Sequence, residues 1–187
     1  MTDDNNCSQI GNIEVIDAPE LVVDIDITSD FDGDPISCPD ASDGEVTVSS
    51  TGGTGNVIYF WSNSFNGEIN SGLAEGIYFV TATDQNGCQA FDSIVLVDPQ
   101  PITVDNFVLN NPTTCNGLDG SIEIDAIGGH GVYQYRISFG FWQNSNVFDN
   151  LGAGTYDFFV RNMDGTCETG PFTASIDDPI PLSLIHI

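Results

Sequence analysis

The stretch Leu73-Ala74-Glu75-Gly76-Ile77-Tyr78 decides the fold of this chain, because the same arrangement recurs as Leu151-Gly152-Ala153-Gly154-Thr155-Tyr156. In both places a Leu-x-x-Gly-x-Tyr turn leads directly into a run of apolar residues. Self-similarity of this kind is typical of a chain built from repeated structural units. Other landmarks recur in the same order: Cys38 with Cys115, Asp43-Gly44 with Asp119-Gly120, Gly52-Gly53 with Gly128-Gly129, Cys88 with Cys167, and Asp98-Pro99 with Asp178-Pro179.

These landmarks divide the chain into parts. Two complete units are predicted at 20–99 and 101–179. Residues 1–19 repeat the sequence around Cys88, so they are predicted to be the last strand of a preceding unit whose body is missing. Residues 182–187 are a candidate non-native tail, the alternative being an ordinary strand cut short.

Apolar runs of strand length fill both units, and clusters of Gly, Asn, Asp and Ser separate them as turn chemistry requires. No capped segment has the 3.6-residue period of a helix. About seven short strands in roughly 80 residues predict an all-β, immunoglobulin-like β-sandwich in each unit. The apolar runs lie at 21–27, 45–50, 57–62, 77–83, 89–97, 102–109, 121–126, 132–139, 155–161 and 171–176.

Two aromatic features sharpen the fold prediction. The Leu-x-x-Gly-x-Tyr turn resembles the tyrosine corner of such sandwiches, with Tyr78 and Tyr156 bonding back to the main chain. Trp61 falls on the third strand, where these sandwiches often bury a tryptophan, and Ile137 takes that place in the second unit. The alternation of strands predicts these inward positions: Val46, Val48, Tyr59, Trp61, Tyr78, Val80, Ile122, Ile124, Tyr135, Tyr156, Phe158 and Val160.

The linker predicts an elongated pair. Only Pro99-Gln100-Pro101 separates the two units, and its prolines stiffen a segment that is already too short for free tumbling. The two sandwiches are therefore expected to lie end to end.

Composition excludes several classes of partner. The chain has 28 acidic residues and two basic ones, Arg136 and Arg161, and its net charge is −26. Nucleic acids and anionic lipid surfaces both require basic residues, so neither is an expected partner. No run approaches the 18 or so apolar residues of a membrane span, and residues 1–20 show no signal peptide, which we interpret as truncation.

The motifs taken together resemble the SprB repeat family. That family has a Ser-Cys…Asp-Gly segment, a Gly-Gly-Thr turn, a Tyr-x-Trp-Ser strand, Leu-x-x-Gly-x-Tyr and Asp-x-Asn-Gly-Cys. The corresponding residues here are Ser37 to Gly44, Gly52 to Thr54, Tyr59 to Ser62, Leu73 to Tyr78, and Asp84 to Cys88. The second unit departs from the pattern, because it lacks the Trp-Ser element and has Met163 to Cys167 at the last motif.

The resemblance implies an extracellular protein on the surface of gliding or particle-attached Bacteroidota, exported by type IX secretion. The expected function is a structural or adhesive spacer in a repeat array that holds an adhesive region away from the cell. The family has no catalytic residues to carry over. The expected partners are neighbouring repeats of the same chain, with surface polysaccharide as a further candidate.

The alternative is a carbohydrate-binding module, or an accessory module of a secreted multidomain enzyme. Tyr59, Phe60, Trp61 and Phe65 could stack on sugar rings. The direction of Trp61 discriminates the two functions. An inward Trp61 favours a core role, whereas an exposed row of Trp61 with Phe141 and Trp142 favours glycan binding.

The sequence argues against an enzyme. Its one credible histidine is His130, in a Gly-Gly-His-Gly turn that predicts a solvated loop residue, and no Gly-x-Ser-x-Gly elbow is present. The five cysteines lack the spacing of a zinc site. Ca²⁺ is the one candidate cofactor, because alternate carboxylates on a loop can converge on a hard cation. The candidate ligands are Asp30, Asp32, Asp34, Asp40 and Asp43.

Strand order predicts a disulfide between repeats. Cys38 lies before the second strand, at the end of its unit nearest the next repeat, whereas Cys88 lies at the opposite end. A strand of about seven residues separates those ends by roughly 23 Å, beyond the reach of a disulfide. We therefore expect Cys38 to pair with Cys167, leaving Cys7, Cys88 and Cys115 for partners in missing repeats.

Overall fold

The computed structural model describes residues 13, 14 and 16–179, which form twelve β-strands. The single strand predicted at residues 1–19 lies mostly outside the described residues, and the tail at 182–187 lies wholly outside them. The strands of the first half are β1 Val22–Ile27, β2 Gly44–Thr51, β3 Ile58–Trp61, β4 Ile69–Leu73, β5 Gly76–Thr83 and β6 Gln89–Leu96. Those of the second half are β7 Thr103–Asn110, β8 Gly120–Ile127, β9 Tyr133–Ile137, β10 Val147–Leu151, β11 Gly154–Asn162 and β12 Thr169–Ile176.

Each half of the chain forms two three-stranded antiparallel sheets. In the first half the strand orders are β1-β2-β4 and β3-β5-β6, and in the second half they are β7-β8-β10 and β9-β11-β12. The predicted units 20–99 and 101–179 each enclose two of these sheets. The all-β prediction is confirmed, with six strands in each half where about seven were expected. None of the described residues belongs to a helix long and apolar enough to cross a membrane.

The two cores arise from the alternation that the sequence predicted. In β2 the residues Val46 and Val48 are buried, and in β8 the corresponding Ile122 and Ile124 are buried. Side chains of successive strand residues point to opposite faces, so one face of each sheet supplies the core. The first core consists of Ile25, Ile36, Val46, Val48, Trp61, Leu73, Val80 and Leu96. The second consists of Ile102, Ile122, Ile124, Tyr135, Phe148, Phe158, Val160, Ala174 and Ile176.

One cross-strand pair combines a large and a smaller residue in each core, but the large residue is on a different strand in the two sandwiches. Trp61 of β3 is paired with Val80 of β5, and at the same place Ile137 of β9 is paired with Phe158 of β11. The bulky residue is on β3 in the first sandwich and on β11 in the second. Volume-conserving changes are the ones that packed cores tolerate best. The missing tryptophan of the second repeat is therefore compensated within the same cross-strand pair.

Both predicted tyrosine corners are present. The hydroxyl of Tyr78 donates a hydrogen bond to the carbonyl of Ala74 at 2.9 Å, and that of Tyr156 donates to Gly152 at 2.8 Å. Each bond fixes the turn that leads into β5 or β11, the central strand of its sheet. The Leu-x-x-Gly-x-Tyr motif thus fixes the start of the central strand in each of these two sheets.

Candidate functional site

The joint between the two sandwiches is the most clearly defined site of the molecule. The Sγ atoms of Cys38 and Cys167 are 2.04 Å apart, and their Cα atoms are 5.3 Å apart. Cys38 belongs to the loop between β1 and β2, and Cys167 to the turn between β11 and β12. The structure therefore brings together the two cysteines that strand order paired, across 129 residues of sequence.

The loop that carries Cys38 is held in place by carboxylates on both sides. Asp43 accepts hydrogen bonds from the backbone N–H of Ser37 at 3.1 Å and from its hydroxyl at 2.5 Å. The backbone N–H of Asp40 donates to the carboxylate of Asp98, which directly precedes the linker, at 2.8 Å. These bonds fix the cysteine at the end of the first sandwich that faces the second.

The second sandwich builds the same loop at its own far end. Asp119 accepts bonds from the N–H and hydroxyl of Thr113, and the N–H of Asn116 donates to Asp178. The cysteine of this loop, Cys115, is exposed. It comes two residues after Thr113, whereas Cys38 directly follows Ser37, so the repeats differ by one residue in where they place the thiol.

Asp84 organises the turn that carries Cys88 in the first repeat. Its carboxylate accepts hydrogen bonds from the N–H groups of Thr54, Asn86 and Cys88 at 2.8–2.9 Å. Burial raises the pKa of Asp84, but the hydrogen bonds from Cys88, Thr54 and Asn86 outweigh burial and hold it below the usual 3.8. In the second repeat Asn162 takes the place of Asp84 and accepts from the N–H of His130 at 3.1 Å.

Asp84→Asn is expected to destabilise the first sandwich at neutral pH, because an amide offers one acceptor oxygen where the carboxylate offers two. A carboxyl whose pKa is lowered by folding adds stability above its ordinary pKa, and this stability is lost as the pH falls through the lower value. The deficit of the variant should therefore shrink as the pH is reduced from 7 to below about 4. Urea unfolding followed by circular dichroism at each pH measures it.

The control for this prediction is Asp26→Asn, which removes an exposed carboxylate from β1 of the same sandwich. It should change stability little at either pH, since surface substitutions usually fall within about 0.5 kcal/mol. If Asp84→Asn lost the same stability at pH 7 and at pH 3, the link between the ionised Asp84 carboxylate and stability would be contradicted.

The prediction that His130 is a solvated loop residue is wrong. Its side chain is 1% exposed and lies at the joint, with Nδ1 at 3.8 Å from Asp32 of the first sandwich and 4.0 Å from Asp164 of the second. Neither ring nitrogen has a hydrogen-bond partner. Burial raises the pKa of Asp164, but hydrogen bonds from Thr166 and the neighbouring His130 lower it below the usual value. His130 is buried partly by residues of the other repeat. The Gly-Gly-His-Gly turn alone therefore could not predict its burial.

The predicted calcium ligands do not converge. Asp30 accepts a hydrogen bond from the N–H of Gly33 at 2.8 Å, Asp32 faces His130, and both oxygens of Asp43 are bonded to Ser37. Asp34 takes part through its backbone in a bridge to Phe31, and Asp40 through its N–H in the bond to Asp98. Of the part of the chain that the structure describes, no three His, Cys, Asp or Glu side chains form a group that could hold a metal ion.

The aromatic residues separate into core and surface. Trp61 is fully buried, and its Nε1–H donates to the carbonyl of Gly67 at 3.0 Å. Phe141 is exposed, and Trp142 lies under the guanidinium groups of Arg136 and Arg161 at 5.1 and 4.2 Å from its ring centroid. The row of Trp61, Phe141 and Trp142 on which glycan binding depended is therefore not formed, and the inward tryptophan favours the core role.

Several solved structures resemble the chain in fold. The three N-terminal domains of the Highly Immunogenic Outer Capsid protein of bacteriophage RB49 share 14% identity, with a TM-score of 0.51, over 84% of this chain and 58% of that one. The C-terminal 282-residue fragment of intimin, solved with an intimin-binding domain, shares 14% identity with a TM-score of 0.38, over 88% and 65%. The chain spans about three fifths of these fragments. At 14% identity, the match to the capsid protein shows the fold alone.

The sequence also matches a protein-family model. No curated protein matches the sequence. The model of the SprB repeat matches residues 32–69, which run from the Cys38 loop into β4, and residues 110–140, which run from the Cys115 loop past β9. The resemblance drawn from the motifs is thereby confirmed, with one match to the SprB repeat in each half of the chain.

Proposed function

We propose that this chain is a structural spacer of an extracellular, surface-attached bacterial protein, in which consecutive sandwiches are stapled at their joints. The SprB repeats and the sandwich fold support an adhesive or structural module at the cell surface. A place in a gliding adhesin, without catalytic activity, is the more specific form of this proposal. The partners of such a module are its neighbours in the array.

The observation that carries the proposal is the Cys38–Cys167 contact. It joins the two sandwiches at a second point beside the linker, with Sγ atoms 2.04 Å apart. Structural disulfides persist in oxidising, extracytoplasmic compartments, which agrees with a surface location. Two attachment points restrict the rotation of one sandwich against the other, whereas a linker alone would act as a hinge.

The same loop and turn exist at the outer ends of the pair. Cys88 is exposed on the β5–β6 turn, and Cys115 is exposed on the β7–β8 loop. In an array these positions face the preceding and the following repeat. The one-residue shift is complementary, because Cys38 comes early in its loop and its partner Cys167 late in its turn, whereas Cys115 comes late and Cys88 early. The geometry thus supports a further bond of Cys115 to a Cys88-type thiol.

A tandem chain tests the proposal. Residues 20–180 fused directly to a second copy of 20–180 create one new joint, in which repeat 2 precedes repeat 1. Non-reducing peptide mapping of the oxidised protein should find Cys38–Cys167 in each copy and Cys115 of the first copy bonded to Cys88 of the second. Small-angle scattering should show a rod whose maximum dimension grows in proportion to the number of repeats.

The single 187-residue chain is the control, since it should yield the Cys38–Cys167 peptide with Cys88 and Cys115 as free thiols. A Cys38–Cys88 peptide would show that the strand order has been misinterpreted. A tandem chain with four compact, side-by-side sandwiches in scattering would contradict the spacer.

A further inference from the structure

The outer face of the β3-β5-β6 sheet is apolar and uncharged. Six large hydrophobic side chains on it are 53–70% exposed, and the positions between them hold Thr, Ser and Gln. Monomeric surfaces rarely keep a continuous apolar patch of this kind without a partner. The six residues of this apolar face are Ile58, Phe60, Ile77, Phe79, Phe91 and Val95.

The strand register makes the face continuous. Phe60 and Phe91 flank Thr81 in one row across the three strands, and Ile77 and Val95 are paired in another. Phe79 lies between these rows on the central strand. Neighbouring rows on one face of a sheet are within reach of aromatic side chains. The six residues therefore form one surface and not scattered hydrophobic positions.

The fold does not require this surface, because the second sandwich lacks it. The corresponding face of β9-β11-β12 carries Arg136 and Arg161, and Arg136 lies over the ring of Phe159 at 4.0 Å and bonds Glu168 at 2.6 Å. Both basic residues of the chain are thus used on this face. The apolar face is a property of the first repeat alone.

We propose that the apolar face binds the apolar face of a second copy of this chain. Each copy has a net charge of −26, and most of its surfaces would bring carboxylates together on contact. The outward positions of β3, β5 and β6 carry no charge, so contact there brings no carboxylates together and leaves only the longer-range repulsion between the two acidic copies. Two sheets packed face to face lie about 10 Å apart, with their side chains interdigitated.

The exposed area suits a weak but specific pair. The six side chains expose on the order of 600 Å² per copy, given the sizes of such residues. Stable complexes bury about 800 Å² per partner, and smaller interfaces are transient. The intervening Thr, Ser and Gln residues would supply the remainder. Pairing of separate filaments through such interfaces gains strength from repetition along an array.

A groove beside β3 gives the pair a defined geometry. It is an open groove of about 490 Å³, lined in part by Ile58, Phe60 and Thr83 of the face and at its margin by the acidic Glu68. In an isologous pair the same patch serves both copies. A two-fold axis parallel to the strands places β6 of one copy over β3 of the other, which brings Phe91 to the groove of its partner. In this arrangement both edge strands of the face, β3 and β6, take part in the contact.

Sedimentation velocity tests the proposal on the intact 187-residue chain carrying Cys7→Ser, Cys88→Ser and Cys115→Ser, which removes accidental disulfides between copies. From about 5 to 500 µM, the range of weak interfaces, the mass should rise toward twice that of the monomer. Association should strengthen when NaCl is raised from 0.15 to 0.5 M, because salt screens the mutual repulsion of the acidic chains. Phe79→Asp and Phe91→Asp should each weaken it at least tenfold.

Phe141→Asp is the matched control, since it replaces a phenylalanine of the second repeat that is even more exposed and lies outside the apolar face. It should leave association unchanged, and melting curves establish that all three variants remain folded. A chain that stays monomeric at 500 µM would overturn the proposal, as would association that survives Phe79→Asp. Monomeric chains that bind phosphatidylcholine vesicles through Phe79 would assign the face to lipid and likewise overturn it.

Discussion

Replacing Trp61 by alanine is expected to lower the free energy of unfolding of the first sandwich by about 3–5 kcal/mol. Trp61 is fully buried among the residues of the first core, and its Nε1–H bonds the carbonyl of Gly67. Its removal leaves a cavity and an unsatisfied acceptor, while the small Val80 opposite cannot fill the space. Since small domains have only about 5–15 kcal/mol of stability, a large share of it would be lost.

The measurement can separate the two sandwiches, because the chain has only two tryptophans. In Trp61→Ala the fluorescence of Trp142 reports the second sandwich alone, and its urea midpoint should stay close to that of the parent chain, while circular dichroism shows early unfolding of the first. Phe60→Ala, at the adjacent exposed position of the same strand, is the matched control in dilute protein and should cost under about 1 kcal/mol. Equal losses from the two substitutions would contradict the core assignment.

The strands and the core could be predicted because each sandwich obeys one rule, alternation between a buried and an open face. Val46 and Val48 in β2 illustrate it, with exposed or half-buried residues between and around them. The compensation of the smaller Ile137 by the larger Phe158 could not be predicted, since it depends on which strands are neighbours. Register is a tertiary property that one strand does not contain.

The apolar face was missed for a related reason. Continuous apolar runs such as Ile77 to Val80 are typical of strands buried on both sides. Here Ile77 and Phe79 are exposed while Val80 is buried, so the run belongs to a strand with one open face. The sequence shows that both sides of β5 are apolar, but only the layers of the fold show that one side is uncovered.

The site at the joint was predictable in part. Strand order was enough to place Cys38 near Cys167, because it fixes the end of the sandwich at which each loop lies. It could not place His130, whose burial requires Asp32 of one repeat and Asp164 of the other to meet around it. Contacts between repeats depend on the angle between them, and no motif within a repeat encodes that angle.

Pulling the chain from its ends is expected to extend the oxidised protein far less than the Cys38→Ser variant. With the bond intact, tension passes from the first strand to Cys38, across to Cys167 and out through β12, so the loop between the cysteines carries no load. That loop spans 129 residues, which at about 3.5 Å per residue is roughly 450 Å of chain. The variant should therefore release roughly 450 Å more contour length when both sandwiches unfold.

Single-molecule force spectroscopy with handles at the two ends measures this length directly. Parent chain treated with a reductant should extend as far as Cys38→Ser, whereas Cys88→Ser with Cys115→Ser should extend as little as the oxidised parent, because neither thiol closes the loop. Equal extension of the oxidised parent and Cys38→Ser would show that the bond does not bear the load. A chain stapled in this way remains short under tension even when its sandwiches unfold, because the force path avoids most of both cores.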